Sequence, residues 1–337
     1  MLRFPPEVSR LPADLPKNLG FRHSPSISAV GVEINLPHIR LAADINAVQF
    51  YWNCNVFQSD FKGGPVRVAI QGERGSYSEE AVIQYFSEKY ELISKEYLED
   101  VFNAVKCGEA DYGVIPVENS STGSIRKSLD LLLTEDVRVI GEVKVKVSHA
   151  LLGVKGAKLS DIERVYSHPE AISQCESFLR RNKWVVIPSP DTAGAARFVA
   201  EANDRRLAAV ASERAASIYG LEVIARDIQD IPVNITRFFV ISLSDEVSED
   251  ADTTAAFFAT RHVPGALWRA LGAFAKRGIN LLWLESRPIK GEPWNYSFYV
   301  EFEGSISDDS VREAIRELGE LSLWVKVLGS YKRMALE

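Results

Sequence analysis

The densest run of chemistry-bearing side chains in this 337-residue chain is Asn234-Ile235-Thr236-Arg237-Phe238, which follows the turn-like Gln229-Asp230-Ile231-Pro232 and leads into the apolar Phe239-Val240-Ile241. An Arg at the mouth of a cleft holds a carboxylate through two parallel N–H donors, and Thr236 adds a hydroxyl donor within two residues. The same string has a structural alternative, with Thr236 as a plain strand residue and Arg237 paired with Asp227 or Asp230. Spacing alone does not separate the two. Other chemistries are disfavoured: the chain has no P-loop, no GxGxxG after a strand, no HExxH and no GxSxG, which argues against nucleotide hydrolysis, hydride transfer and zinc hydrolysis. Of the five histidines, His23, His38, His149, His168 and His262, only His168 sits at a strand-to-helix junction. There a helix-start role before Pro169 is favoured over that of a catalytic base.

Four junctions also suit an anion. In each, an apolar strand-like run stops at a polar residue that opens a helix: Val66–Gln71 into Gly75-Ser76-Tyr77-Ser78-Glu79, 112–117 into Glu118-Asn119-Ser120-Ser121-Thr122-Gly123-Ser124, 165–166 into Ser167-His168-Pro169-Glu170, and 185–187 into Asp191-Thr192-Ala193-Gly194. Ser76 with Glu79 and Ser167 with Glu170 have the spacing of a capping box. In an open α/β sheet the carboxyl ends of the strands share one edge, where unpaired helix N–H groups favour negative charge. Any one of these hydroxyls is more simply a helix cap. The case for a small-acid site rests on their number.

From Val66 to about Ser244 strands alternate with helices, which predicts an α/β domain with a largely parallel sheet covered on both faces. Helices are expected at 78–90, 98–107, 125–133, 169–181, 193–203 and 213–219, and strands at 137–147, 148–152 and 235–242. The late strand returns after about 80 residues, so two lobes with a hinged cleft are expected: lobe one about 66–145 plus 226–244, lobe two about 146–225. A polar, acidic linker, Ser244 to Thr253, separates a different grammar, in which strand 254–260, helix 265–276 closed by Gly278, strand 279–285, strand 296–302, helix 309–318 and strand 322–329 spell βαββαβ. Tyr296, Phe298, Val300 and Phe302 alternate, so one face of that sheet is expected under the two helices. A domain of 253–331 is small enough that sharing its sheet with a second copy, as a homodimer or homotetramer, is expected. Residues 1–65 are interrupted by Pro5, Pro6, Pro12, Pro16, Pro25 and Pro37 and read as a mostly irregular extension, helical only at 39–51.

With 46% hydrophobic and 25% charged residues the composition is that of a globular chain, and a net charge of −7 without a basic run gives no footprint for nucleic acid or an anionic membrane. Cys54, Cys107 and Cys175 are far apart and lack CxxC spacing, which argues against a disulfide framework or a zinc site and for a reducing compartment. No apolar run is long enough to span a bilayer and no leading segment reads as a signal peptide, so a cytoplasmic location is expected, with a plastid as the alternative if the acidic extension is a targeting segment.

Taken in order, Gly72-Glu73-Arg74-Gly75-Ser76-Tyr77-Ser78-Glu79, Ile115-Pro116-Val117-Glu118-Asn119-Ser120, Ser167-His168-Pro169 with Gln174-Cys175, Asp191-Thr192-Ala193-Gly194-Ala195-Ala196 and Thr236-Arg237-Phe238 make the chain resemble the prephenate dehydratase family over about Val66 to Tyr331. That family turns prephenate into phenylpyruvate or, in its arogenate-using members, arogenate into phenylalanine. The resemblance implies a two-lobed fold like that of periplasmic binding proteins, followed by a ferredoxin-like ACT regulatory domain. It implies Thr236 as donor to the departing hydroxyl, Arg237 as an anchor for the anionic substrate, and Phe238 among the apolar atoms that desolvate the ring carboxylate. Ser76, Ser78, Asn119, Ser120, Ser167, His168 and Thr192 are then expected at the substrate. Gly265, Ala266 and Leu267 with Glu285, Ser286, Arg287 and Pro288 are expected to hold phenylalanine as feedback inhibitor, and Trp268 stands where the family more often has a smaller apolar residue. Dehydration with decarboxylation yields an aromatic ring, so no cofactor and no metal is expected. A different class stays open: a non-catalytic protein that senses an amino acid with the same two-lobed fold.

Overall fold

A computed structural model describes residues 64–87, 90–245, 247–289, 291 and 295–334. The expected extension, its helix at 39–51 and Cys54 lie outside the described residues. Lobe one opens with β1 (Val66–Gln71), α1 (Tyr77–Phe86), β2 (Tyr90–Lys95), α2 (Leu98–Lys106), β3 (Tyr112–Asn119), the short β4 (Gly123–Ser124), α3 (Arg126–Thr134) and β5 (Arg138–Lys146). The chain crosses into lobe two as β6 (Ala150–Gly153) and continues through β7 (Arg164–Ser167), α4 (Pro169–Gln174), α5 (Glu176–Asn182), β8 (Val185–Pro188), α6 (Thr192–Ala202), β9 (Leu207–Ala211), α7 (Glu213–Tyr219) and β10 (Glu222–Ala225). It returns to lobe one as β11 (Ile235–Ser242) and then builds β12 (Thr253–Ala259), α8 (Ala266–Ala275), β13 (Leu281–Pro288), β14 (Tyr296–Glu303), α9 (Asp309–Leu321) and β15 (Trp324–Tyr331).

Three sheets result, ordered β2-β1-β3-β11-β5 with β4 on β3, β10-β6-β9-β7-β8, and β13-β14-β12-β15. The expectation of a largely parallel first sheet needs correction. β1 runs parallel to β2 and β3, but β11 is antiparallel to both β3 and β5, because it enters from the other lobe. In lobe two, the buried strand β9, Leu-Ala-Ala-Val-Ala, adds to the expected strands: its small residues carry little strand propensity, but helices on both faces allow a central strand to bury all five. The single helix expected at 169–181 is two. At the break, the carbonyl of Gln174 accepts from the Asp230 N–H (2.7 Å) and the Asp230 carboxylate accepts from the Ser177 N–H (3.2 Å), so the loop before β11 takes the place of a helical turn.

Two strands of chain cross side by side between the lobes. Val147 N–H donates to Asn234 O (2.7 Å) and Ile228 N–H to His149 O (3.0 Å). On the C-terminal sheet one face packs Val300, Phe302 and Phe258 under α8 and α9, as the alternation of β14 requires. The opposite face, Ala255, Phe257, Tyr299, Leu328 and Tyr331, shares a core with Leu129, Leu132, Val139 and Phe239 of lobe one. At Gly329 the backbones come so close that a Cβ would lie 2.2 Å from Val139 O. Lys326 Nζ donates to the carbonyls of Leu132, Leu133 and Glu135 at the end of α3, where a helix terminus favours a cation. Cys175 is a buried free thiol.

Candidate functional site: the interlobe cleft and its threonine

A cleft of about 900 Å³ opens between the lobes, and the ends of β1, β3, β8 and β11 reach it together with the N-terminal turns of α1, α4 and α6. Ser76, Ser78, Asn119, His168, Thr192 and Thr236 line it, along with Gln174 and His149. Its cations Lys95 and Arg197 are already paired, with Glu109 (2.7 Å) and Glu73 (2.6 Å). The remaining attraction for a small acid comes from hydroxyls and from helix ends, of which α1 and α6 are capped by Ser76 and Asp191.

Thr236 is held in one sense only. The Asn119 carboxamide oxygen accepts from the backbone N–H groups of Ser121 (2.9 Å) and Thr122 (3.2 Å), which fixes the orientation of the amide. Its Nδ2 therefore donates, to Thr236 Oγ1 (3.0 Å) and Asn234 Oδ1 (2.7 Å). The polarity continues without a break: Asn234 Nδ2 to Gln174 Oε1 (2.8 Å), Gln174 Nε2 to Ser121 Oγ (3.3 Å), Ser121 Oγ to Asn119 Oδ1 (2.5 Å). Because Thr236 Oγ1 is an acceptor in this ring, its own hydrogen is free to point at whatever lies in the cleft. His149 Nε2 faces Gln174 Oε1 (2.8 Å) and its Nδ1 faces Tyr77 Oη (3.1 Å). Burial pushes the imidazole down while the Gln174 contact opposes it, so the ring is neutral near pH 7.

The loop over α1 is pinned to lobe two. Ser212 Oγ donates to Gly75 O (2.7 Å), and Gly75, with φ +88°, lies so close to α7 that a Cβ would sit 2.9 Å from Ala215 Cα. Gly75→Ala is expected to pry the lobes apart at a cost of about 1–3 kcal/mol, raising KM roughly tenfold. Steady-state kinetics check it, and a KM unchanged within twofold would contradict this account of the loop. The capping box at this helix is shifted by one: Glu79 N–H donates to Ser76 Oγ (3.4 Å), but the Glu79 carboxylate accepts from Gly75 N–H (2.6 Å). Burial pushes Glu79 up, yet the Gly75 N–H and Arg214 outweigh it and hold the carboxyl below its usual value.

Several expected site residues stand elsewhere. Arg237, one residue along β11 from Thr236, points to the opposite face and binds Glu301 of β14 and Glu142 of β5, not Asp227 or Asp230. Phe238 is 2% exposed within the core of lobe one. Ser167 is fully buried and donates to Val210 O (2.6 Å), and His168, whose Nδ1 accepts from Glu170 N–H (3.2 Å), caps α4 in place of the expected Ser167 box. Ser120 closes a turn with Ile235, accepting from its N–H (2.9 Å), and does not line the cleft. The junction at Glu118–Ser124 is a hairpin, and α3 begins after it without a side-chain cap. His149 and Asn234 are not among the expected site residues, although Asn234 belongs to the polar string around Thr236. Their signal was a pair of polar interruptions in apolar strand runs, at the point where the chain changes lobes.

A second pocket of about 510 Å³ lies on the C-terminal domain, lined by Gly265, Ala266, Leu267 and Trp268 with Asn295, Tyr296 and Phe298. Glu285, Ser286, Arg287 and Pro288 are not among its lining residues. Arg287 instead turns to Asp130 of α3, at 2.6 and 3.0 Å.

The prephenate dehydratase family model matches residues 68–246 and the ACT domain model residues 257–320. Arogenate dehydratase/prephenate dehydratase 2, chloroplastic, of Arabidopsis thaliana is 41% identical over 285 residues, 81% of this chain and 74% of that protein. The solved prephenate dehydratase of Arthrobacter aurescens, in complex with L-Phe, matches with a TM-score of 0.73 and 32% identity over 80% of this chain and 90% of that one. GqqA, described as a novel type of quorum quenching acylase, matches with a TM-score of 0.73 and 31% identity over 80% of this chain and 98% of that one. Two lobes enclosing a threonine-lined cleft, followed by a βαββαβ module, and both family models in that order lead to one conclusion: the chain belongs to the prephenate dehydratase family and carries a C-terminal ACT domain.

Proposed function

We propose that the protein converts prephenate to phenylpyruvate, with Thr236 as hydrogen-bond donor to the leaving hydroxyl. The observation that carries this is the polarity of the Asn119–Thr236 contact, which leaves the threonine hydrogen free at the cleft wall. The reaction breaks the bond from the ring to its carboxylate, and that electron pair enters the ring as CO₂ departs. The bond from ring to hydroxyl breaks on the other side, and the departing oxygen takes up a proton from the surrounding water and leaves as water. Both losses are driven by aromaticity. A threonine is a weak acid, so its part is to stabilise charge developing on the oxygen, with the surrounding amide ring keeping it aimed. The helix ends at Ser76 and Thr192 are suited to the substrate carboxylates.

Acyl transfer, the activity described for the acylase, calls for a nucleophile activated by a base. Among the described residues, neither cleft histidine hydrogen-bonds a Ser or Thr hydroxyl: His149 meets Tyr77 and Gln174, and His168 meets a backbone N–H. Arogenate presents the same reacting ring and is the second substrate to test, as the plant relative's name suggests. The pocket at Gly265–Trp268 is read as the phenylalanine site, and its open side suits a second copy of the chain as homodimer or homotetramer. A cytoplasmic location is retained, with the plastid as the alternative that the chloroplastic relative supports.

Purified protein assayed on prephenate and on arogenate, with and without phenylalanine, tests the reading. Phenylpyruvate formed from prephenate and suppressed by phenylalanine is the expected result. Turnover of neither substrate would favour the sensor class.

A further inference from the structure

Arg237 sits where two sites meet. It shares a backbone with Thr236 and faces the other way, so any shift of β11 at one is felt by the other. Its Nη1 and Nη2 donate to the two oxygens of Glu301, at 2.7 and 2.8 Å, and Nη1 also reaches Glu142 at 3.2 Å. The guanidinium lies 4.7 Å from the Trp283 ring centroid on β13 and 5.3 Å from that of Phe239. Of the two strands that hold it from the ACT side, β14 also lines the pocket at Gly265–Trp268, through Tyr296 and Phe298. Phe298 of β14 lines that pocket and stands three residues, about 10 Å, from Glu301.

One donor of this guanidinium is unsatisfied. Nε is buried without a hydrogen-bond partner, although Glu118 Oε2 lies 3.2 Å away, out of line. Glu118 is the cross-strand neighbour of Arg237 on β3, as Asn119 is of Thr236. A modest turn of the guanidinium away from Glu301 completes the bond to Glu118 and pulls on the strand pair that aligns Asn119 with Thr236. Glu301 and Glu118 thus stand on either side of one guanidinium and compete for its donors, which is the geometry a two-state coupling element requires.

We propose that Arg237 is a positioning residue that relays the effector state of the ACT domain to Thr236, held by Glu301 when Thr236 is aligned and by Glu118 when the enzyme is inhibited. This rests on the reading of Thr236 as donor and of the Gly265–Trp268 pocket as the phenylalanine site. In the Glu301-held setting the Asn119–Thr236 bond is made, at 3.0 Å, so inhibition belongs to the other. The ACT domain then acts on the cleft through a buried side chain rather than through the 244–253 linker alone.

The test uses the full-length chain with Glu301→Gln, which keeps the shape and one acceptor while removing the charge that competes with Glu118. The half-inhibitory concentration of phenylalanine is expected to fall by about tenfold or more, with turnover in its absence altered by less than about threefold. Calorimetry is expected to show phenylalanine binding correspondingly more tightly than to the wild type. Trp283→Leu, which removes the ring that stacks on Arg237 in the Glu301-held setting and no charge, is expected to lower the half-inhibitory concentration in the same sense and decides the matter if Glu301→Gln does not fold. A folded variant that binds phenylalanine and is inhibited as the wild type is would overturn the relay and leave the dehydratase reading standing. A wild type that turns prephenate over and ignores phenylalanine would remove the effector reading and the relay with it.

Discussion

Thr236→Val is expected to lower kcat by about 10²-fold or more while leaving KM within a few-fold. Valine has nearly the volume of threonine and suits a strand equally well, so β11 and its register with β3 and β5 are kept. Asn119 Nδ2 loses one acceptor but retains Asn234 Oδ1, so the amide ring survives. What disappears is the one hydrogen aimed at the leaving oxygen, an interaction that strengthens as charge develops there. Thr236→Ser keeps the hydroxyl and is expected to retain turnover to within about tenfold of the wild type. Steady-state kinetics of both variants on prephenate check this. A Val variant with near-normal kcat would move the hydrogen-bond donor elsewhere, and a large rise in KM alone would make Thr236 a binding residue.

Arg237→Met is expected to act mainly on stability, by about 3–5 kcal/mol, because removing one partner of a buried ion pair strands the other. Arg237 is 11% exposed, Glu301 1%, and Glu142 fully buried. Burial works against the Arg237 charge, but Glu301 outweighs it and pushes the guanidinium further up, so the cation persists at all working pH values. On the other side, burial pushes the Glu301 carboxyl up, and the Arg237 and Tyr299 donors resist. Without Arg237 that upward push is unopposed by a cation. A carboxyl whose folded pKa is raised contributes stability below its unfolded pKa and loses it as pH rises, so the deficit of Arg237→Met is expected to be larger at pH 8 than at pH 5. Urea unfolding at the two pH values measures it. If Arg237 anchored the substrate instead, the variant would fold as the wild type does and fail through KM.

This contrast shows how far the sequence could be read. Ordered motifs located the cleft, since Ser76, Asn119, Thr192 and Thr236 all reach it. Helix punctuation was legible where a cap is local: Asp191 receives the Gly194 N–H at 2.7 Å, as its spacing from the helix start implies. What stayed hidden depends on partners distant in the chain. The side of β11 that Arg237 occupies follows from strand alternation, but its partner Glu301 is 64 residues later and belongs to another domain. Ser167 had the spacing of a cap and was claimed by Val210 O, 43 residues on, so a local rule lost to a tertiary bond. Helix 169–181 looked continuous because nothing within it signals that Asp230 enters at Gln174. Glu285–Pro288 read as one effector string, yet its arginine serves the junction with α3.

In the proposed reaction the Thr236 hydroxyl, oriented by Asn119, meets the oxygen that leaves the ring. A crystal structure of the wild-type protein with an unreactive analogue that retains the ring hydroxyl tests it most directly. Thr236 Oγ1 is expected about 2.7–3.0 Å from that oxygen, with the Asn119 contact still made. A ring hydroxyl turned toward the Ser76 or Thr192 helix ends, with Thr236 facing a carboxylate or nothing at all, would contradict it.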